Sequence, residues 1–241
     1  MRISIIVPAF NEERLIGETL RAVKGAAGAF GGRGWEVELI VCNNNSTDGT
    51  AKLARASGAR VVFEPVNQIG RARNSGAAAA TGDWLIFVDA DSKPSAELFG
   101  DVAEQIEGGK CLGGGSTVKL EGDYPIGNRL LQLWNAISRI RLWMAGSFIF
   151  CEAAAFRKLG GFSNELFASE EIELSKRLNI LARERKKKVV ILHEHPLLTS
   201  ARKFHLYTVR EHLWFLTKTV FGWGSTLTKR EACHTWYDGR R

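Results

Sequence analysis

Asp89-Ala90-Asp91 sets two carboxylates one residue apart, directly behind the apolar run Trp84 to Val88 (WLIFV). If the chain turns there, both face one crevice, one toward a metal and the other toward a metal-bound water or a ribose hydroxyl. Hard oxygen ligands of this kind suit Mg²⁺ or Mn²⁺, ions held by one or two carboxylates together with substrate phosphates. A second acidic pair, Glu170-Glu171, precedes a helical pattern. It serves either as a partner of the helix dipole or as a base that takes the proton of an attacking hydroxyl. Arg71 and Arg73 follow Gly70 at an expected helix start, a natural diphosphate site; Arg71 is the expected contact and Arg73 is expected on the solvent side. His193 and His195 stand two apart on an expected strand and point the same way, as an additional metal ligand or as surface histidines. In TSARKF, Ser200, Arg202 and Lys203 suit a phosphate contact or a surface loop.

Strands and helices in alternation must position these groups. Ile3 to Val7 reads as a strand stopped by Pro8, followed by a helix over Glu12 to Gly25. Trp35 to Cys42 is a second strand ending in NNNSTDGT, which caps a helix through Ala51 to Ser57. Ala59 to Glu64 and Trp84 to Val88 are further strands on either side of an Ala-rich helix over Gly70 to Thr81. Strands that are apolar throughout and alternate with helices indicate a parallel sheet covered on both faces, with ligands at the carboxyl ends of its strands. PAFNEE, NNNSTDGT and DADSKP all fall at such ends and should converge on one crevice. Beyond Pro94 the pattern gives helices near Ala96 to Glu107, Asn128 to Met144 and Phe167 to Leu181, and strands near Leu112 to Leu120 and Val189 to His193. An aromatic, basic helix is expected over Tyr207 to Val220.

The chain has 241 residues, 45% hydrophobic and 24% charged, a globular composition that excludes disordered and fibrous classes. Its longest apolar runs, Ser147 to Phe156 and Leu213 to Trp223, are too short to span a bilayer. A polar stretch follows MRISIIVPAF where a cleavage site would stand, so a cytoplasmic protein is expected. The four cysteines are dispersed, with no CxxC pair, and read as reduced buried thiols. The net charge of +7 is concentrated late: residues 176–241 hold 15 Lys and Arg against 5 Asp and Glu. Such a surface draws phosphates, nucleic acid or an anionic membrane, or simply aids solubility. Leu213, Trp214, Phe215, Phe221 and Trp223 beside Arg210, Lys218, Lys229 and Arg230 suit peripheral contact with the cytoplasmic membrane face, or burial against the sheet or in a homodimer. No nucleic-acid-binding motif occurs, so a nucleic-acid partner is not expected.

VPAFNEE, NNNSTDGT, GRARNSGAAAATGDWLIFVDAD, Gly160-Gly161-Phe162 and Glu170-Glu171 ahead of Arg177 resemble, in order and spacing, glycosyltransferase family 2 over residues 1–204. The resemblance implies an α/β GT-A fold, a single Rossmann-like domain with a mostly parallel central sheet and helices on both faces. Residues 1–110 would bind a nucleotide-diphosphate sugar and residues 111–204 the acceptor, with residues 205–241 as a basic aromatic extension. It also implies a divalent cation, Mn²⁺ or Mg²⁺, at Asp89 and Asp91 and a UDP- or GDP-linked donor; the acceptor is left open, the region from about Gly113 to Gly161 suiting a lipid phosphate, a glycan or a small metabolite. Pro8, Phe10 and Glu12 match the motif that lies against base and ribose, and Asp83 either a position near the base and ribose or a polar turn residue entering the fourth strand. Asn43 and Asn44 replace the usual two Asp, which favours a base presenting acceptor atoms. Arg71, Ala90 and Arg202 complete the expected donor site, with His193 or His195 as additional metal ligands. Glu171, or Glu170, falls on the general base of inverting members. Two rivals carry less: a sugar nucleotidyltransferase would need a Gly-rich, basic loop where PAFNEERLIG stands, and a non-catalytic basic binding protein rests on charge alone.

Overall fold

A computed structural model describes residues 1–122, 124–202 and 225–228. These contain eight strands: β1 (Arg2–Ala9), β2 (Glu36–Asn43), β3 (Arg60–Phe63), β4 (Trp84–Val88), β5 (Ser92–Lys93), β6 (Cys111–Leu120), β7 (Phe148–Glu152) and β8 (Lys188–Thr199). They form one sheet in the order β3-β2-β1-β4-β7-β6-β8-β5. β3, β2, β1 and β4 run parallel, as do β6 and β8, whereas β7 lies antiparallel between β4 and β6.

β4 shows why the strands are apolar on every residue. Trp84, Ile86 and Val88 join one apolar cluster while Leu85 and Phe87 join the other. Side chains alternate along a strand, so a run apolar at both parities must be covered on both faces. Helices α1 (Ile16–Gly31), α2 (Thr50–Ala56) and α4 (Ala96–Glu107) cover the first face; α3 (Ile69–Ala79), α6 (Ala153–Lys158) and α7 (Glu170–Glu184) cover the second. α3 lies close to the sheet because Gly76 has no side chain: a Cβ there would stand 2.5 Å from Ile6 Cγ2. α5 (Pro125–Arg141) rests on β6, where the Asn135 amide donates to the Val118 carbonyl and accepts from its N–H.

The sequence places the helices and longer strands of the first half, with ends that move by a few residues, and misses the two-residue β5; α1 begins at Ile16 and continues to Gly31. Ser147 to Phe156 is the difference in the second half. What reads only as an apolar run is β7 followed by α6, and β7 puts Phe148 opposite Val88. Residues 144–147, just ahead of it, thereby arrive at the carboxyl edge of the sheet. Cys42, Cys111 and Cys151 are buried free thiols, as expected, and burial pushes Cys42 up to about 12. The expected aromatic helix over 207–220, Lys203 and Cys233 lie outside the described residues. Among the described residues no helix is long and apolar enough to cross a membrane.

Candidate active site

The loops after β1 and β2 are sewn together by polar groups that look, in sequence, like generic turn residues. Asn11 accepts from the Thr47 N–H, Glu13 accepts from the Gly49 N–H, and the Thr50 hydroxyl accepts from the Glu12 N–H. Asn11 and Asn45 sit at φ 52° and 60°, a left-handed region that Asn tolerates. Pro8 is buried in β1 opposite Cys42, and Phe10 lies half-buried at the strand's end. Asn43 accepts the Ser46 N–H. Asn44 donates its side-chain N–H groups to the carbonyls of Val66, at 2.6 Å, and Glu64, at 3.4 Å. An Asp could not do this, because it has no N–H to give. The substitution therefore serves the loop between β3 and α3. It leaves Oδ1, an acceptor, as the amide's remaining atom, which corrects the expectation that Asn44 would favour a base presenting acceptors.

Arg73 is the centre of the crevice. It is 1% exposed; one Nη donates to Glu170 at 2.6 Å, and the other to Asp89 at 3.0 Å and the Gly146 carbonyl at 2.7 Å. Its guanidinium also lies over the Phe162 ring, 5.2 Å from the centroid. Burial works against the charge, and Asp89, Glu170 and Glu171 outweigh it, so the Arg73 pKa is raised. Burial likewise pushes Glu170 upward, with Arg73 opposing. Glu171, desolvated and beside Glu170, is pushed up to about 8. Gly146 makes room for both groups, since a Cβ there would lie 3.3 Å from Arg73 Nη2 and 3.5 Å from Glu171 Cδ. The expectation that Arg73 faces solvent is thus corrected. Arg71 is half-buried and donates to Gln68 Oε1 at 2.9 Å, and Arg73, expected in solvent, ties Asp89 to Glu170.

Asp91 and Glu12 meet at Arg202. The guanidinium makes a two-pronged pair with Glu12 at 2.7 and 2.8 Å, and Nη2 stands 3.7 Å from Asp91 Oδ2. Such paired N–H···O bonds fix orientation as well as charge. Ala90 is buried, its carbonyl accepting from the Thr19 hydroxyl on α1. Glu12, Asn43, Asn44, Asp89, Asp91, Glu170, Glu171, Arg73 and Arg202 therefore line the carboxyl edge of the sheet.

Two sets of expected residues lie elsewhere. Asp83 leads into β4, at the amino edge, where its carboxylate accepts the Arg2 N–H at 2.8 Å. The length of β4 separates it from Asp89 by roughly 20 Å, so it is a turn residue and not part of the donor site. His195 has its Nδ1 3.0 Å from Asp101 on α4 and is engaged there rather than with Asp89 or Asp91; His193 is exposed. The segment 193–196 bulges between the pairs Ser116/Leu192 and Val118/Leu197, which removes the shared direction expected of residues two apart. Among the described residues no group of three or more His, Cys, Asp or Glu is arranged to hold a metal.

Residues outside the expected set brace the site. Asn74 pairs with Phe162 through both backbone groups at 2.9 Å, and Gln68 holds the carbonyls of Asn164 and Leu166. Arg177 donates to the carbonyls of Leu159 and Gly161. The Gly160-Gly161 turn, at φ 76° and 74°, is thus clamped between α3 and α7 and delivers the chain to Ser169 and the acidic pair. The signal for Arg73 and Asn74 was their place within GRARNSG, which residue type alone does not decode.

The arrangement, a doubly covered sheet with carboxylates at the carboxyl edge and a second acidic pair facing them, defines the GT-A architecture. The family model for glycosyl transferase family 2 matches residues 4–159, and the chain belongs to that family. A glycosyltransferase of Mycobacterium bovis is 34% identical over 110 residues, 46% of each chain. Glucosyl-3-phosphoglycerate synthase of Mycolicibacterium smegmatis is 36% identical over 97 residues, 37% of this chain and 30% of that one. These matches span less than half the length of the curated relatives. Among solved structures, S. aureus TarS 1–349 superposes with a TM-score of 0.64 at 21% identity, covering 84% of this chain and 61% of that one. Glucosyl-3-phosphoglycerate synthase from Mycobacterium tuberculosis, in complex with Mn²⁺, UDP and glucosyl-3-phosphoglycerate, gives a TM-score of 0.61 at 22% identity, covering 91% of this chain and 77% of that one.

Proposed function

We propose that this glycosyltransferase moves a sugar from a UDP-linked donor to an acceptor hydroxyl with inversion, using a divalent cation on the donor diphosphate and Glu171 as general base. The observation that carries the reading is the Arg73 bridge: one buried guanidinium binds Asp89 on the donor side and Glu170 beside the base. Structural neighbours crystallised with UDP-GlcNAc and with Mn²⁺ and UDP lend support. So does Asn44, whose free acceptor Oδ1 suits a base N–H such as that of uracil.

The donor set fits a hard cation. Asp91 Oδ1 takes only a 3.4 Å contact from Ser92 and Oδ2 a 3.7 Å contact from Arg202, leaving carboxylate lone pairs for a metal. Mg²⁺ or Mn²⁺ held by Asp91 and Asp89, with its other ligands from diphosphate and water, would neutralise charge on the leaving group. Glu171 takes the acceptor proton as the hydroxyl oxygen bonds to the anomeric carbon. The carbon–oxygen bond to the diphosphate breaks on the opposite face, and UDP leaves with that electron pair. Arg202 is poised to meet the diphosphate, and Arg73 opposes the upward push that burial gives Glu170.

The test separates the two carboxylate sites. Asp91→Ala should abolish Mn²⁺-dependent UDP binding in calorimetry. Glu171→Gln should leave that binding within about twofold and slow UDP release from a UDP-sugar with acceptor by about 10²–10⁴-fold, the range for a positioned base. Full activity in either variant overturns the assignment.

A further inference from the structure

α5 turns aliphatic residues outward. Leu130 is 50% exposed, Leu133 61%, Ile137 36% and Ile140 81%. At 3.6 residues per turn these four fall in a stripe about 80° wide, with Arg129 along one margin and Arg141 along the other. The opposite side is already anchored: Gly127 and Ser138 are buried, and Asn135 is bonded to β6. The stripe is thus additional to the face that packs the helix. Single exposed aliphatics need no explanation, but an aligned set marks an interaction surface.

Charge selects the partner. From Pro125 to Trp143 the sequence has Arg129, Arg139 and Arg141 and no Asp or Glu. Next to the helix's end, Trp143 has Arg141 and Lys176 over its ring, at 5.2 and 5.7 Å. A second copy would bring these arginines against one another. Residues 203–224 supply Lys203, Arg210 and Lys218 against Glu211 alone, so they offer no complementary charge either. We propose that the stripe docks the protein on an anionic phospholipid surface, its aliphatics entering the acyl boundary and Arg129 and Arg141 meeting headgroup phosphates.

Position gives this surface a use. β6 ends and β7 begins at the carboxyl edge of the sheet, so the excursion that contains α5 borders the crevice, and Gly146, which follows it, holds Arg73. Docking through α5 would bring the crevice to an acceptor carried on a lipid. That consequence rests on the glycosyl-transfer reading, whereas vesicle binding does not.

Flotation of the full chain with phosphatidylcholine vesicles, with and without phosphatidylglycerol, tests the proposal. The protein should float only with phosphatidylglycerol, and Leu133→Glu with Ile140→Glu should weaken binding at least about tenfold. Both positions are exposed, so the melting temperature and the UDP-induced shift should be unchanged. Arg129→Gln with Arg141→Gln should weaken binding less and flatten its salt dependence. Failure of the wild type to float overturns the proposal, as does undiminished binding by the Glu variant. If the wild type is instead a dimer that the Glu variant dissociates, the stripe is a subunit interface and the proposal also falls. The flotation itself contains no nucleotide, so its outcome is independent of whether UDP binds.

Discussion

Glu171 enters the crevice with a proton affinity set by desolvation and by Glu170, about 8 against an ordinary 4.5. As the base it must be unprotonated, so kcat/KM should rise with pH toward about 8, and Glu171→Gln should erase that limb along with most activity. The same shift affects stability. A carboxyl whose folded pKa is raised contributes stability that is complete below its unfolded value of 4.5 and is lost as pH climbs through about 8. The wild-type melting temperature should therefore fall between about pH 5 and 8, and less steeply in Glu171→Gln. A flat profile in both would show that the carboxyl is not desolvated. Arg73→Ala removes the partner of two carboxylates and should cost about 3–5 kcal/mol in urea denaturation, the penalty of stranding buried charge. At this scale the place of Asp89, Asp91 and Glu171 at one crevice was legible, because Asp89 and Asp91 follow a buried strand and Glu171 opens a helix. Arg73 was not, since two arginines two apart differ only in which side of α3 meets the sheet. The role of Asn44 was hidden for a related reason: the carbonyls it serves come from another loop.

The Gly160-Gly161 turn connects α6 to the segment that carries the acidic pair, and its geometry is held from both sides. Gly161→Ala would force a side chain into a left-handed φ of 74° and place its Cβ 2.5 Å from Asn74 Oδ1. It should lower stability by about 1–3 kcal/mol and slow transfer, because Glu171 is positioned through that clamp. Calorimetric melting and UDP-release rates check both effects, and a variant with wild-type melting would contradict the clamp. Ser169, at φ 63° just before Glu170, shows the same concentration of unusual backbone at the site. The first half of the fold could be read from the sequence because its strands and helices alternate with capped loops between them. β7 and α6 could not, because a short buried strand and a buried helix turn share an apolar composition and periodicity does not separate them. The antiparallel insertion matters to function nonetheless, since it brings Gly146 beneath Arg73.

For the molecule as a whole, three sequence-distant loops, the excursion through α5 and the end of β8 converge on one edge of a sheet, and Asp83 lies at its other edge. That convergence follows from strand direction and was foreseeable; the ion pairs across it, Glu12 with Arg202 and Asp89 with Arg73, join residues 190 and 16 positions apart and emerge only on folding. As proposed, this edge binds a nucleoside diphosphate through a cation, and calorimetric titration of UDP and GDP into the wild type and Asp91→Ala, each with and without Mn²⁺, checks it. UDP should bind in preference to GDP, only with Mn²⁺ and only in the wild type. Failure of both nucleotides to bind the wild type with Mn²⁺, or equal binding by Asp91→Ala, would contradict it.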